Sequence, residues 1–487
     1  MISTNRRTSL VVALLLMLPQ AAWAAPLVAP VAPVVQQQIV QMQISQSILQ
    51  NIRYSQSPEK IRIVFDVSTL PAYIANLTEN PNQLVIDFPG TVNQVSAGQK
   101  IFDDPVVNSL LLSTVEPGKQ RVVIDLKRAA TYKVLTLTNP NRVVVDIIKD
   151  YDQKTEEQIA PGVKHTSLLR FKQAGRISAH IVDITPGSNY MIRPVLSNDA
   201  ITGLETLQSM AERSKAIVAV NGSYFALNGE ILGLLKIDGQ IVSTSNVERT
   251  ALGVLPDGTI LMDQIDYRGS IALPDGRTVA ITGVNHERGE NDLILYNNYF
   301  DSMTGTNQYG SDYIINNGKV TAIAHGNAAI PPGAVVLSAH GTMETVLAGL
   351  KVGDKIKVTQ TLGDIWDKTS HAIGAGPRLV KNGSVLLTSK EEQFPSDITS
   401  GRAPRTAVGV TKEGHLLLLV VDGRQQSSMG MTLQELALLM QETGAVDAMN
   451  LDGGGSSEMV INGTFVNTPS DGRERSVGDA LMIVPKN

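Results

Sequence analysis

The sequence predicts a mixed α+β and α/β architecture, with a small N-terminal β-sandwich followed by a larger mixed-sheet α/β domain of catalytic size. Three observations lead there. Four short β-branched runs, each with an aspartate at the same place, recur between Ile52 and Asp150. Near the C-terminus an amphipathic helical pattern lies between two continuous apolar runs, which reads as strand, helix, strand. The 41 glycines and 4% aromatic residues suit a turn-rich protein better than a helical bundle. A chain of 487 residues is long enough for two or more domains, each with its own core.

The first segment is an address. Arg6 and Arg7 precede an apolar run from Leu10 to Leu18, and Ala22-x-Ala24 provides the small residues of a cleavage site. Residues 1–24 are therefore expected to be an export signal, the run being too short for a permanent anchor. No integral membrane segment is expected once it is removed. Residues 25–50, rich in Pro, Ala, Val and Gln, read as a tether.

The repeat comes next. "RIVFDV", "LVIDF", "RVVIDL" and "RVVVDI" carry Asp66, Asp87, Asp125 and Asp146, spaced 21 residues apart within each pair. Turns such as "NPNQ" and "NPNR" separate the runs, so the segment contains two copies of one strand unit. The four acids are expected to pair with basic neighbours such as Arg62 and Arg121 rather than to ring a metal. This framework, across 51–150, resembles the AMIN domain of bacterial envelope proteins. The resemblance implies association with peptidoglycan or another envelope polymer, and a periplasmic or envelope location. Residues 151–165 read as a charged linker, and 166–487 as the larger domain.

Composition excludes several classes. A net charge of −5 argues against a nucleic-acid partner. The absence of cysteine removes disulfides, thiolate nucleophiles and thiolate metal sites. The seven histidines are scattered without metal-ligand spacing, so neither a metal nor another cofactor is expected.

In the larger domain, three strand ends carry polar residues. "AIVAV" leads into Asn221 and Tyr224, "HLLLLVV" into Asp422, and "VDAMNL" into Asp452-Gly453-Gly454-Gly455-Ser456. Between the last two strands lies a helix, with a capping box from Thr432 to Glu435 and a stop at Gly444. A β-α-β unit of this kind makes its strands parallel and puts Asp422 and Asp452 at neighbouring strand ends, where α/β sheets bind ligands. Three consecutive glycines let a backbone approach a ligand closely and turn its N–H groups inward as an anion nest. No G-K-[ST] follows, so a nucleotide P-loop is excluded. Arg405, beside Thr406, and Arg475 are the cations placed to meet an anion; Arg402, Arg424 and Arg473 are weaker candidates.

Seven motifs in order, among them "AVNGSYF", "GAGPRLVKNG", "RAPRTAVGV", "NLDGGGSSEMVING" and "VNTPSDGRERSVGDAL", resemble the phosphodiester glycosidase family across about 200–487. The resemblance implies hydrolysis of a sugar-1-phosphodiester at the anomeric carbon. Phosphate is a good leaving group, so the chemistry needs a carboxylate near the sugar and pre-placed donors around the phosphate. On this reading Asp452 is the base or nucleophile and Asp422 supports it. Gly453, Gly454, Gly455, Ser456, Arg405 and Thr406 hold the phosphate, with Arg475 in reserve. Asn221 and Tyr224 meet the sugar. Two other readings stay open. A phosphodiesterase would use Asp422, Asp452 and Glu458 to bind Mg²⁺ or Ca²⁺; a non-catalytic protein would simply bind envelope glycopolymer.

Overall fold

The computed structural model describes residues 46–486 apart from Asn80, Ala97, Ala129, Gln173 and Ala174. The expected export signal and most of the expected tether lie outside the described residues. The first strand, Ser47–Gln56, begins within the last part of that tether. Two compact units are centred on Val64–Ala129 and Val145–Asn487.

The N-terminal repeat folds by exchange. One five-stranded sheet places Lys60–Val67 beside Arg142–Ile148, and the other places Asn82–Pro89 beside Lys119–Leu126. Each sheet therefore joins the first strand of one copy to the second strand of the other. Inward residues alternate along these strands, and Phe65 meets Phe88 across the interior at 5.3 Å between ring centroids. Asp66, Asp87 and Asp146 pair with arginines outside this core, whereas Asp125 accepts from the amides of Asn108 and Gln83. Arg121 stands directly opposite Asp87 in the register and grips it with two bonds of 2.7 Å. Arg62 grips Asp146 in the same way at 2.6 and 2.7 Å. In both pairs the arginine is exposed while the aspartate is largely covered, and the bidentate grip helps fix register.

The larger unit is β-rich rather than α/β, which corrects the expected class; strand accounts for 51% of the chain and helix for 8%. Its strand pairs run antiparallel, apart from the short pair Gly283–Val284 with Leu293–Tyr296. An eight-stranded sheet carries Gly175–Ile184, Leu416–Val421, Arg405–Thr411, Ala445–Asn450 and Arg378–Lys381 in that order. A second, five-stranded sheet contains Tyr190–Leu196, Asp479–Pro485, Val218–Asn221 and Met459–Ile461. Residues 151–165, expected as a linker, instead form the edge hairpin of the larger sheet, Tyr151–Ala160 pairing with Val163–Lys172. Its exposed charges are what an edge strand needs to resist further pairing.

The misleading signal was Leu416–Val421, six apolar residues in a row. Its even-numbered residues join the core between the two sheets, while the odd-numbered ones pack under helix Leu433–Glu442. A central antiparallel strand covered on both faces therefore reads like a parallel one. The helix is as expected, with Thr432 and Glu435 forming a capping box.

Candidate active site

The crossover through Leu433–Glu442 does make Leu416–Val421 and Ala445–Asn450 parallel, with their C-terminal ends on one side. The two strands are not neighbours, however; Arg405–Thr411 lies between them, antiparallel to both. Asp422 and Asp452 are thus separated by the N-terminal end of a third strand. Asn221, although in the second sheet, reaches across to this place. Its amide nitrogen donates to the carbonyl of Asp452 at 2.6 Å, and its oxygen accepts from Thr406 Oγ1 at 2.6 Å and from the Glu458 N–H at 3.3 Å. The Asp452 N–H binds the Gly222 carbonyl at 2.9 Å and the Leu451 N–H binds that of Thr406 at 2.9 Å. Asn221 and Thr406 together pin the backbone on which Asp452 stands.

Tyr224 lies on the same wall. Its hydroxyl donates to the Gly376 carbonyl at 3.1 Å and accepts from Asn450 at 2.9 Å, and its ring packs on Phe394. Burial of the hydroxyl raises its pKa above the ordinary tyrosine value. The guanidinium of Arg249 lies over Phe394 at 4.2 Å, and its buried Nε has no partner.

The glycine loop is occupied differently from a nest. The N–H groups of Gly453, Gly454, Ser456 and Ser457 bond to Asp452 Oδ1 and to the carbonyls of Pro404, Gly453 and Gly454, all within the protein. Gly455 is needed for close approach, since a Cβ there would meet Arg475 Nη2 at 2.0 Å and Asp471 Oδ2 at 2.7 Å. Gly454, at φ +61°, supplies a left-handed turn beneath the guanidinium of Arg424.

The arginines divide. Arg405, buried, donates to the carbonyls of Met431, Ile398 and Gly401 at 3.0 to 3.3 Å, and burial depresses its pKa. Arg475 pairs with Asp471 at 2.5 Å. Asp422 accepts from Asn467 and the Thr468 N–H at 3.1 and 2.9 Å, tying its own strand end to the 467–468 segment.

Four carboxyl groups lose solvent here, Asp422 among them, its pKa raised by burial. Burial pushes Asp452 up to about 6, although the Ser456 hydroxyl and Gly453 N–H favour its charged form. Burial also raises Glu458 to about 8 and Asp479 to about 7, the latter helped upward by Asp452. One oxygen of each of these two is buried without a partner, as are Asn450 Oδ1 and Ser457 Oγ. Unsatisfied buried polar atoms gathered in one place mark a site built for something other than stability. Asp479 and Arg249 were not singled out in the sequence. One is a lone acid before an apolar strand, and the other stands far from the motifs it joins. The glycine at 222, where a Cβ would meet Asp479 Oδ1 at 2.6 Å, was the available hint.

A shared metal does not fit these residues. Among the described residues no group of three or more acids and histidines is placed to hold a metal ion, and Asp422, Asp452 and Glu458 bond to separate partners.

Asp479 yields a stability test. Its folded pKa, about 7, lies above the roughly 4 of an unfolded aspartate, so folding takes up a proton between those values. The stability of the neutral form is complete below the unfolded value and declines as pH rises towards the folded one. Asp479→Asn is therefore expected to raise Tm at about pH 8 and to leave it nearly unchanged at about pH 4. Equal shifts in melts at both pH values would contradict the assignment.

Residues 294–484 match the phosphodiester glycosidase family, and 51–127 and 109–177 match the AMIN domain. Two segments of the chain are thus similar to a phosphodiester glycosidase domain and to an AMIN domain. It is 36% identical over 102 residues to the mouse N-acetylglucosamine-1-phosphodiester alpha-N-acetylglucosaminidase, covering 19% of this chain and 20% of that protein. Similarity to the SPbeta prophage-derived uncharacterized protein YomE of Bacillus subtilis (strain 168) is 24% over 292 residues, 60% of this chain and 31% of that one. The chain thus spans about a third or less of the length of these relatives. Among solved structures, a hypothetical protein from Synechocystis superposes with a TM-score of 0.63 at 21% identity, covering 91% of this chain and 81% of that one. A putative exported protein from Burkholderia pseudomallei K96243 superposes at 0.57 with 20% identity, covering 93% and 100%. These two share the fold.

Proposed function

We propose that the C-terminal unit hydrolyses a sugar-1-phosphodiester, cutting between the anomeric carbon and the phosphate oxygen. The observation that carries this reading is the cluster of desolvated carboxyls around Asp452, set among arginines at one end of two packed sheets. The family match at 294–484 supports a hydrolase of phosphodiester glycosidic linkages.

Asp452, at about 6, is ionised at neutral pH while Glu458, at about 8, is largely neutral. Acids of one site held in different charge states are how a nucleophile or base is separated from a proton-bearing group. Asp452 attacks the anomeric carbon, or draws a proton from the water that does, as charge moves onto the departing phosphate. That phosphate needs little protonation to leave, so cations and hydrogen-bond donors contribute more than a strong acid. Asn221 and Thr406 act through Asp452 by fixing its backbone, and the Tyr224 ring forms a wall for the sugar. The AMIN domain supports a setting outside the cytoplasm, with peptidoglycan or another envelope polymer as the partner that localises the enzyme.

The rate on a GlcNAc-1-phosphate diester is expected to be bell-shaped in pH. It rises as Asp452 ionises through about 6, and falls between about 7 and 8 as Asp479 and Glu458 ionise and repel the phosphate. Activity is expected to survive a chelator. A profile flat from about pH 5 to 7 would remove Asp452 from the reaction.

A further inference from the structure

Of the guanidinium groups at this site, Arg249 packs on Phe394 without a polar partner, and Arg424 is the one that is both unmatched and exposed over the glycine loop. Among the described residues it has no hydrogen bond and no carboxylate partner, while Arg475 is paired with Asp471, Arg402 with Glu435, and Arg405 with three carbonyls. Its guanidinium nitrogens lie 3.4 Å from where a Cβ on Gly454 would project, so they sit over the glycine loop that carries Asp452. Arg424 and Arg405 repel each other, and that repulsion helps lower the Arg405 pKa. Two neighbouring guanidinium groups without a counter-charge form a place where an anion is favoured.

The backbone adds an independent observation. Arg424 has φ +59°, a conformation that side chains with a Cβ resist. Among the described residues, only Lys215, Gln393 and Arg424 adopt positive φ without being Asn, Asp or Gly. The loop is held firmly in this form. Ser428 Oγ donates to the Asp422 carbonyl at 2.6 Å, Gln425 Nε2 donates to the Thr468 carbonyl at 2.8 Å, and the Gln425 N–H binds the Ser428 carbonyl at 3.0 Å. The Asp422 carboxylate locks the base of the loop to Asn467 and Thr468. This gives Asp422 a definite task, since it positions the arginine two residues later. Strain held by surrounding bonds, with an unpartnered charge at its tip, is the pattern of a ligand contact.

We infer that Arg424 is the specificity-determining contact for the phosphate of the substrate, reading its negative charge from above the glycine loop. This rests on the proposed glycosidase reading for the identity of the ligand, and on the local geometry alone for the binding of phosphate.

The test is calorimetric binding of inorganic phosphate to the full chain, with kinetics on a GlcNAc-1-phosphate diester alongside. Arg424→Gln is expected to weaken phosphate binding by about tenfold or more, as for loss of a hydrogen bond between charged groups. KM for the diester should rise more than kcat falls. Arg424→Lys should keep part of the affinity, because a point charge replaces a fork. Arg424→Gly should lose phosphate as Gln does while raising Tm by a few degrees, since glycine relieves the positive φ. The inference is overturned if Arg424→Gln binds phosphate as the unaltered protein does, or if the unaltered protein binds none. It is also overturned if Arg424→Gly melts lower, or if Arg473→Gln, removing an equal charge from an exposed position, weakens phosphate as much. Loss of phosphate affinity in the Arg424 variants with no diester turnover by any form would uphold this contact and sink the glycosidase reading instead.

Discussion

Asp452→Asn is expected to lower kcat on a GlcNAc-1-phosphate diester by about a thousandfold or more, with Tm at neutral pH held or raised because a buried charge is removed. The side chain keeps its shape, and the amide oxygen can still accept the Gly453 N–H that now binds Asp452 Oδ1 at 2.8 Å. The bonds fixing its backbone come from Asn221 and Gly222 and do not involve the carboxyl. What is lost is the charge that attacks the anomeric carbon or activates water. Asp422→Asn should act differently, because Asp422 bonds to Asn467 and Thr468 and works through the 422–428 loop. Its effect should fall mainly on KM. Steady-state kinetics with parallel melts distinguish the two; retention of more than about a tenth of kcat by Asp452→Asn would remove it from the chemical step.

The largest structural effect is expected at Gly229. The segment Tyr224–Leu232 is a tight hairpin, with the Ala226 N–H on the Glu230 carbonyl at 2.8 Å and the Leu232 N–H on the Tyr224 carbonyl at 2.8 Å. Gly229, at φ +90°, lies so close to Gly203 that an added Cβ would stand 1.8 Å from its carbonyl oxygen. Gly229→Ala therefore combines an unfavourable φ with a backbone collision, and is expected to cost about 2–4 kcal/mol. It should also lower activity by displacing Tyr224. Gly276→Ala is the control, since Gly276 has φ +88° and nothing within 4 Å of its Cβ position. It should cost only about 1 kcal/mol, from φ alone. Equal costs for the two in denaturant titrations would mean that the 203–229 contact yields without penalty.

The parts of this molecule legible in its sequence were those encoded locally. The duplicated strand unit showed in the spacing of Asp66, Asp87, Asp125 and Asp146, though not the exchange that puts Arg62 on Asp146 and Arg121 on Asp87. The helix 433–442 showed in its period and its capping box. Asn221, Asp422 and Asp452 were each visible as polar residues after apolar strands. The order of strands was not visible, because pairing is decided by which faces are buried together. A sequence does not say that Arg405–Thr411 inserts between two strands joined by a helix. The roles of the arginines were equally hidden. Arg405, Arg424 and Arg475 look alike in sequence, and only their partners separate a cation held by carbonyls from one left facing solvent. The three glycines were noticed for the backbone freedom they give. Part of their use is to leave room for the Arg475–Asp471 pair, which no local pattern announces.

The central claim is that the bond from the anomeric carbon to oxygen breaks, and the position of solvent oxygen in the products tests it most directly. A GlcNAc-1-phosphate diester turned over in heavy-oxygen water, with chelator present, is expected to yield heavy oxygen in the sugar and none in the phosphate. Heavy oxygen in the phosphate, or turnover only after a divalent metal is added, would contradict the account.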